Sequence, residues 1–447
     1  MKKAYFILLI TMISFTGCHD LLQPKPVDLL VDDLVLNEAS DVPNVEIGLY
    51  SAFRGITGTI VIAGDLTADN LIHNGTFTEY RELGVKRITP SNATVATMWQ
   101  SIYNTVYIAN FILEKLPTVS GVSSAERDKV LATAHFLRGY AYFIGYYTFG
   151  AIPKVTGITI QSNQNVARSG DQEMLDFILE DYNQALGKLT TEPTNAGYAS
   201  DYAVRSALAQ YYLYLKDWNQ AEQFATQVIE SDKYTLEKNF SSIVLKDFTS
   251  ESIFEMGYTI SDDPATLNTL FLGRREIIPS NQEILALASD ESGDRFSSIT
   301  FDAKNLNGTD NGWSVAKYGT AVEDNNNIVV FRLAELYLIR AEARAQLGNV
   351  TGTGSAQEDL NVLRTRANGT AVSSVSQSQM LLLIEDERRY ELAFEGHRWY
   401  DLVRTGRVKE VMSAFSSAWK DTYNLWPIPQ HEIQNNRALV GHQNPGY

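Results

Sequence analysis

With 447 residues, 44% of them hydrophobic, the chain is long enough to bury a large core as two or three average domains or one large one, which excludes a disordered protein. A formal net charge of −16, from 53 acidic and 37 basic residues, excludes a nucleic-acid partner, because phosphate binding needs clustered Lys and Arg. The single cysteine, Cys18, excludes an internal disulfide and a thiolate metal cage.

The chain begins MKKAYFILLITMISFTGC, with two Lys before an apolar run and small residues before Cys18. That is the layout of a secretory leader over residues 1–17, and the run is too short to span a membrane comfortably. Residues 18–40 carry Pro24, Pro26 and several acids, which suits an extended tether. A short helix is expected over residues 45–53. Residues 55–92 then lose periodicity and gain Gly, Thr and Asn, predicting a loop that carries Asp65, Asp69, Asn70, His73, Asn74, Phe77, Tyr80 and Arg81.

Helical character starts at Thr94, where Trp99, Ile102, Val106, Ala109 and Leu113 recur at steps of three and four. A second helix over residues 125–149 has six aromatic residues between Tyr140 and Phe149, read as a core stripe. Helices follow at 171–189, 200–215 and 217–232. Ala209, Tyr212 and Ala221 fall where a tetratricopeptide repeat puts small and aromatic residues, so paired helices are expected rather than a uniform array. Residues 257–327 interrupt this pattern with a stretch rich in Ser, Asp, Asn and Gly and no helical period. Phe296, Phe301, Trp313 and Tyr318 argue against disorder there, since a solvated linker gains nothing from aromatics. Helices resume at 331–348, with Ala334, Tyr337, Leu338, Ala341 and Ala345 on one stripe, then at 359–368, 380–396 and 399–404. The expected fold is mainly α: tetratricopeptide-like pairs form a scaffold over 41–256 and 331–447, with an irregular, loop-rich subdomain inserted at 257–330.

Residues 380–407, MLLLIEDERRYELAFEGHRWYDLVRTGR, hold Glu385, Asp386, Glu387, Glu391, Glu395 and Asp401 beside Arg388, Arg389, Arg398, Arg404 and Arg407. Apolar residues are interleaved, so a helix here cannot turn every charge to water. Partly buried charges must be matched, because an unpaired one costs several kcal/mol. If exposed, Glu385 and Arg389 would form an i,i+4 pair.

ERRYELAFEGHRWYDLVRTGR, followed by the ending LWPIPQHEIQNNRALVGHQNPGY, resembles the C-terminal signature of the SusD/RagB family, nutrient-binding lipoproteins of the outer membrane in Bacteroidetes-type bacteria. Leu137-Arg138-Gly139 and Phe149-Gly150-Ala151-Ile152-Pro153 are similar to that family as well. Phe15-Thr16-Gly17-Cys18 resembles a lipobox, which implies lipidation of Cys18 and a body tethered to the membrane, facing the cell exterior. The resemblance further implies a lid over a SusC-like, TonB-dependent transporter barrel, with an oligosaccharide captured between them and no cofactor. It also leaves a peptide ligand open, as in RagB-like members, and the helix pairs by themselves leave open a lipid-anchored scaffold for protein partners.

No HExxH, GxSxG, GxxxxGK[ST] or GxGxxG motif occurs, and the six His are not spaced as a metal pair. Catalysis and a metal site are therefore not expected. Sugars and peptides are held by exposed aromatic platforms with Asn, Asp and Arg at the rim. Residues 69–81 and 296–318 offer that mixture, giving Asn70, His73, Asn74, Phe77, Tyr80, Arg81, Trp313 and Tyr318 as ligand-binding candidates.

Overall fold

Side-chain caps start most of the long helices, and close packing decides how far each one runs. The computed structural model describes residues 35–258, 266–318 and 327–447. The leader, Cys18 and most of the expected tether lie outside the described residues, as do two short parts of the insertion. The first helix, α1 (Val42–Leu66), is far longer than the expected 45–53 and takes up a third of the expected loop. It is apolar and long enough to cross a membrane by composition alone. Leu49, Phe53, Ile56 and Val61 are nevertheless buried inside the bundle.

Strand β1 (Leu71–His73) and helix α2 (Thr78–Gly84) follow. Asn92 then caps α3 (Ala93–Lys115), accepting from the Thr94 and Val95 amides, and Ser123 caps α4 (Ser124–Phe149). Tyr140, Tyr142, Phe143 and Phe149 are buried as the aromatic stripe predicted, with Tyr146 and Tyr147 half-buried at its edge. Helix α5 (Asp171–Ala185) stops four residues early, where the Gly187 amide turns to the Asp201 carboxylate at 2.6 Å. Helices α6 (Asp201–Leu215) and α7 (Trp218–Ile229) are joined by the tight turn Lys216-Asp217, with Lys216 at φ 61°. Consecutive helices pack in pairs along the chain, as a tetratricopeptide-like frame requires.

The insertion carries a short helix, α8 (Asn281–Leu287), and the frame continues after it. Strand β2 (Ser252–Met256) pairs antiparallel with β6 (Ile328–Arg332), which closes the insertion at its base. Helix α9 (Leu333–Gln346) packs on α7, then against α10 (Ala356–Arg366) and α11 (Gln377–Glu391). Ala334, Leu338, Ala341 and Ala345 form the core of that second cluster with Leu360, Leu363 and Ile384. Phe331 and Arg332 are strand, contrary to the helix expected from residue 331, because Arg332 must stay extended to reach several carboxylates.

Those carboxylates are the reason for the charged stretch. Glu387 and Glu391 lie one turn apart on α11, and Glu395 follows in the turn leading to α12 (Arg398–Thr405). Arg332 donates to Glu251 at 2.8 Å, Glu391 at 2.6 Å and Glu395 at 2.8 Å. Arg295 donates to Glu387 at 2.5 Å and Glu391 at 2.6 Å, and Arg364 to Glu387 at 2.6 Å. Arg366 bridges Glu251 and Glu391, and Lys317 pairs with Glu395. All of these residues but half-buried Arg366 are buried. On another side of the same segment Asp401 accepts from Arg388 at 2.7 Å and Arg404 at 2.8 Å, and Arg404 also grips Glu342. The expected Glu385–Arg389 pair does not form. Glu385 accepts from Arg398 and Arg407, and Arg389 reaches the buried Glu283 at 2.7 Å.

The turn between α11 and α12 is locked from two sides. Lys317 donates to the Ala393 carbonyl at 3.0 Å and Tyr318 to the Phe394 carbonyl at 2.8 Å. From α1, the Asp65 carboxylate accepts the Gly396 amide at 2.6 Å. Gly396 has φ +86°, and a Cβ on Gly64 would lie 1.9 Å from the Gly396 carbonyl oxygen.

Gly64→Ala should therefore lower stability by about 1–3 kcal/mol or more, and Arg332→Met by about 3–5 kcal/mol, because it strands buried carboxylates; urea denaturation midpoints measure both. Burial pushes the Glu395 carboxyl up, but Arg332 and Lys317 outweigh it and hold it down at about 2. Burial likewise raises Asp69, while Arg398 and Arg389 bring it to about 2. Both values lie below those of the unfolded chain, so their contribution is complete above the ordinary carboxylate range and is lost as pH falls toward 2. Unfolding followed from pH 6 down to 2 should show stability falling steeply through this window, and less steeply in Glu395→Gln.

Candidate functional site

The early segment and the insertion meet edge to edge. Strand β1 pairs antiparallel with β3 (Ile277–Pro279), with His73 opposite Ile277 and Leu71 opposite Pro279. Within the insertion, β4 (Ile299–Phe301) pairs with β5 (Trp313–Val315), setting Phe301 opposite Trp313.

Polar contacts weld the two pairs together. The Asn74 amide donates to the Arg275 carbonyl at 2.9 Å and to Asp310 at 3.0 Å. Arg275 donates to the Trp313 carbonyl at 2.9 Å and also pairs with Asp310 and Ser314. Glu276 is buried, and its carboxylate accepts the Thr76 amide at 2.7 Å and the Phe77 amide at 3.1 Å. The Asn311 side chain receives the Trp313 amide at 3.1 Å and donates to the Pro279 carbonyl at 2.9 Å.

This support presents two aromatic groups. Trp313 is half-buried and lies 5.5 Å from Phe296 and 5.2 Å from Phe301, ring centre to ring centre. Phe296 and Phe301 are 40% and 47% exposed, so this cluster faces solvent. The second group is Phe77, edge-on to Tyr80 at 6.0 Å, with the Arg274 guanidinium 4.3 Å above the Phe77 ring. Helix α2 stands between two hollows. Glu79 and Tyr80 line one of about 280 Å³, shared with Gly58, Thr97, Tyr258 and Leu270. Arg81 lines the other, of about 900 Å³.

A model of the SusD family matches residues 159–447, and a second, described as "Starch-binding associating with outer membrane", matches residues 37–213. The chain belongs to the SusD family. It is 25% identical to SusD-like protein P38 of Formosa agariphila over 97% of each chain. Over 28% of its length it is 38% identical to the starch-binding protein SusD of Bacteroides thetaiotaomicron, covering 23% of that protein. A laminarin-binding SusD-like protein of known structure superposes with a TM-score of 0.78 at 25% identity, over 92% of this chain and all of that one. A SusD superfamily protein from Parabacteroides distasonis gives a TM-score of 0.80 at 19% identity, over 91% of this chain and 99% of that one, a likeness of fold alone.

The structure of this SusD-family chain sorts the expected site residues. Asn74 is tied to the Trp313 hairpin through Arg275 and Asp310, Phe77 and Tyr80 form a second aromatic pair beyond it, and Arg81 lines the hollow on the other side of α2. His73 is half-buried in β1, where burial lowers its pKa despite the neighbouring Glu276 carboxylate. Asn70 and Tyr318 differ from the expectation. Both are buried, Asn70 donating to Asp65 at 2.7 Å and Tyr318 holding the Phe394 turn, so neither side chain reaches a ligand at the surface. Arg274, Arg275, Glu276 and Asp310 were missed by sequence reasoning. The run Arg274-Arg275-Glu276, dense charge inside a polar insertion, was the available signal.

Glu276→Ala should release the Thr76 and Phe77 amides, so that hydrogen exchange at these two positions quickens by about tenfold or more, a change of at least ~1.4 kcal/mol in local opening. Amides of α3 and α4 should exchange as before.

Proposed function

We propose that this chain is a cell-surface binding protein that captures an oligosaccharide on the Phe296, Phe301 and Trp313 cluster and acts as the lid of a TonB-dependent outer-membrane transporter. The observation that carries this reading is the cluster itself: two partly exposed rings flank a tryptophan, on a hairpin pinned by Asn74, Arg275 and Asp310. Flat C–H faces of sugars stack on such rings, while Asn and Asp at the rim take hydroxyls. The starch and laminarin named for relatives support a glycan, and the outer-membrane description of the matching family model supports the location. Lipidation at Cys18 would tether the body, and stronger binding of the glycan to the closed lid than to the open one would drive closure. Binding without turnover is sufficient for this role.

The scaffold alternative has less support, since the insertion adds a solvent-facing aromatic cluster that a helical groove for proteins does not require. A screen of the soluble body against polysaccharides and peptide pools separates a glycan from a peptide ligand. Trp313→Ala should weaken glycan binding by about tenfold or more, equivalent to at least ~1.4 kcal/mol. Unchanged affinity in that variant removes the cluster as the site. Pull-down from detergent-solubilised outer membranes should bring a barrel protein with the chain.

A further inference from the structure

The hollow on the Arg81 side of α2 carries chemistry that a neutral sugar does not need. Arg81 and Arg87 both line it and both are exposed, and neither guanidinium has a hydrogen-bond or ion-pair partner among the described residues. Elsewhere among the described residues Arg138, Arg275, Arg295, Arg332, Arg388 and Arg404 each meet a carboxylate, and Arg168 is held by backbone carbonyls. On a protein with a net charge of −16, an unpaired arginine in reach of carboxylates gains by pairing. The acid in the hollow, Glu82, is turned away from them, accepting from Thr89 and Asn92 at 2.9 Å each. Lys86, between the two arginines in sequence, is buried and donates to the Leu66 and Ala68 carbonyls.

The remaining walls suit a sugar ring. Phe415, Ile72 and Val85 supply apolar surface, Val85 being 45% exposed, and Asn281, Gln282 and Ser416 supply polar groups. The hollow opens beside the glycan platform on a common support, because Ser280 and Asn281 directly follow β3, whose partner β1 leads into α2. Guanidinium forks match carboxylate and sulfate oxygens in pairs, and a cation pair of this kind offsets the repulsion that an acidic glycan meets over the rest of the surface.

We infer that this hollow is a subsite for the anionic substituent of an acidic oligosaccharide, one bearing uronate carboxylates or sulfate esters, with Arg81 and Arg87 as its cationic contacts. The inference rests on the glycan reading above and narrows it to a charged substrate class. The test is a binding panel of length-matched oligosaccharides, neutral, uronate-bearing and sulfated, against the wild-type chain, Arg81→Gln/Arg87→Gln and Trp313→Ala. Acidic members should bind the wild type, and the double variant should lose them by about thirtyfold or more with an unchanged unfolding midpoint. Binding confined to neutral members, or acidic binding unaffected by the double variant, overturns the subsite. If neutral binding then depends on Trp313, the glycan reading stands without it. Absence of binding by any member overturns both.

Discussion

Arg332 and the carboxylates around it are the constraint on which the other parts of this structure depend. Desolvating so many charges is costly, and an apolar replacement of equal volume is often as stable. Here the cluster fixes an arrangement. Arg295 and Lys317 come from the insertion, Glu251 and Arg332 from its base, and Glu387, Glu391 and Glu395 from α11 and the turn after it. No one of these segments can shift without leaving a buried charge unmatched. The irregular insertion is thereby held to the helical frame by buried ion pairs in addition to core residues such as Phe271, Ile277 and Val315.

That attachment gives the candidate site its rigidity. The turn around Phe394 is gripped by Lys317 and Tyr318 on the insertion side and by Asp65 on the α1 side. Asp65 also accepts from Asn70, four residues before the Asn74 that ties the early segment to Asp310. Side-chain hydrogen bonds thus hold both ends of the segment 70–74 that leads from the frame to the hairpin. Recognition elements held in this way lose less freedom on binding than free loops do. Aromatic rings and unpaired arginines then sit at the surface of a support whose other polar groups are largely matched.

Glycine shows why the early region was misread. Gly55, Gly58 and Gly64 break the apolar period of α1 and look like loop punctuation, yet each is helical. A Cβ on Gly55 would lie 2.8 Å from the Ser101 hydroxyl of α3, and Gly64 meets the Gly396 backbone. These residues let neighbouring backbones approach, and tertiary packing overrides their poor helix propensity. The aromatic stripe of α4 was legible for the opposite reason, since its period agrees with its burial.

The sequence alone determined the mainly helical, paired frame, the need to pair the charges of residues 385–407 and the family, because periodicity, composition and signature strings are local properties. It also brought Asn74, Phe77, Tyr80, Arg81 and Trp313 into view, since their residue types suit recognition. Only the tertiary structure decided which of the expected residues lie near the surface. Asn70 and Tyr318 have the same chemistry as their neighbours and are consumed by contacts to Asp65 and Phe394. The partners of Glu391, Arg295 and Arg332, likewise come from segments far away in the chain, and pairing over such distances depends on how helices pack, which no local pattern records.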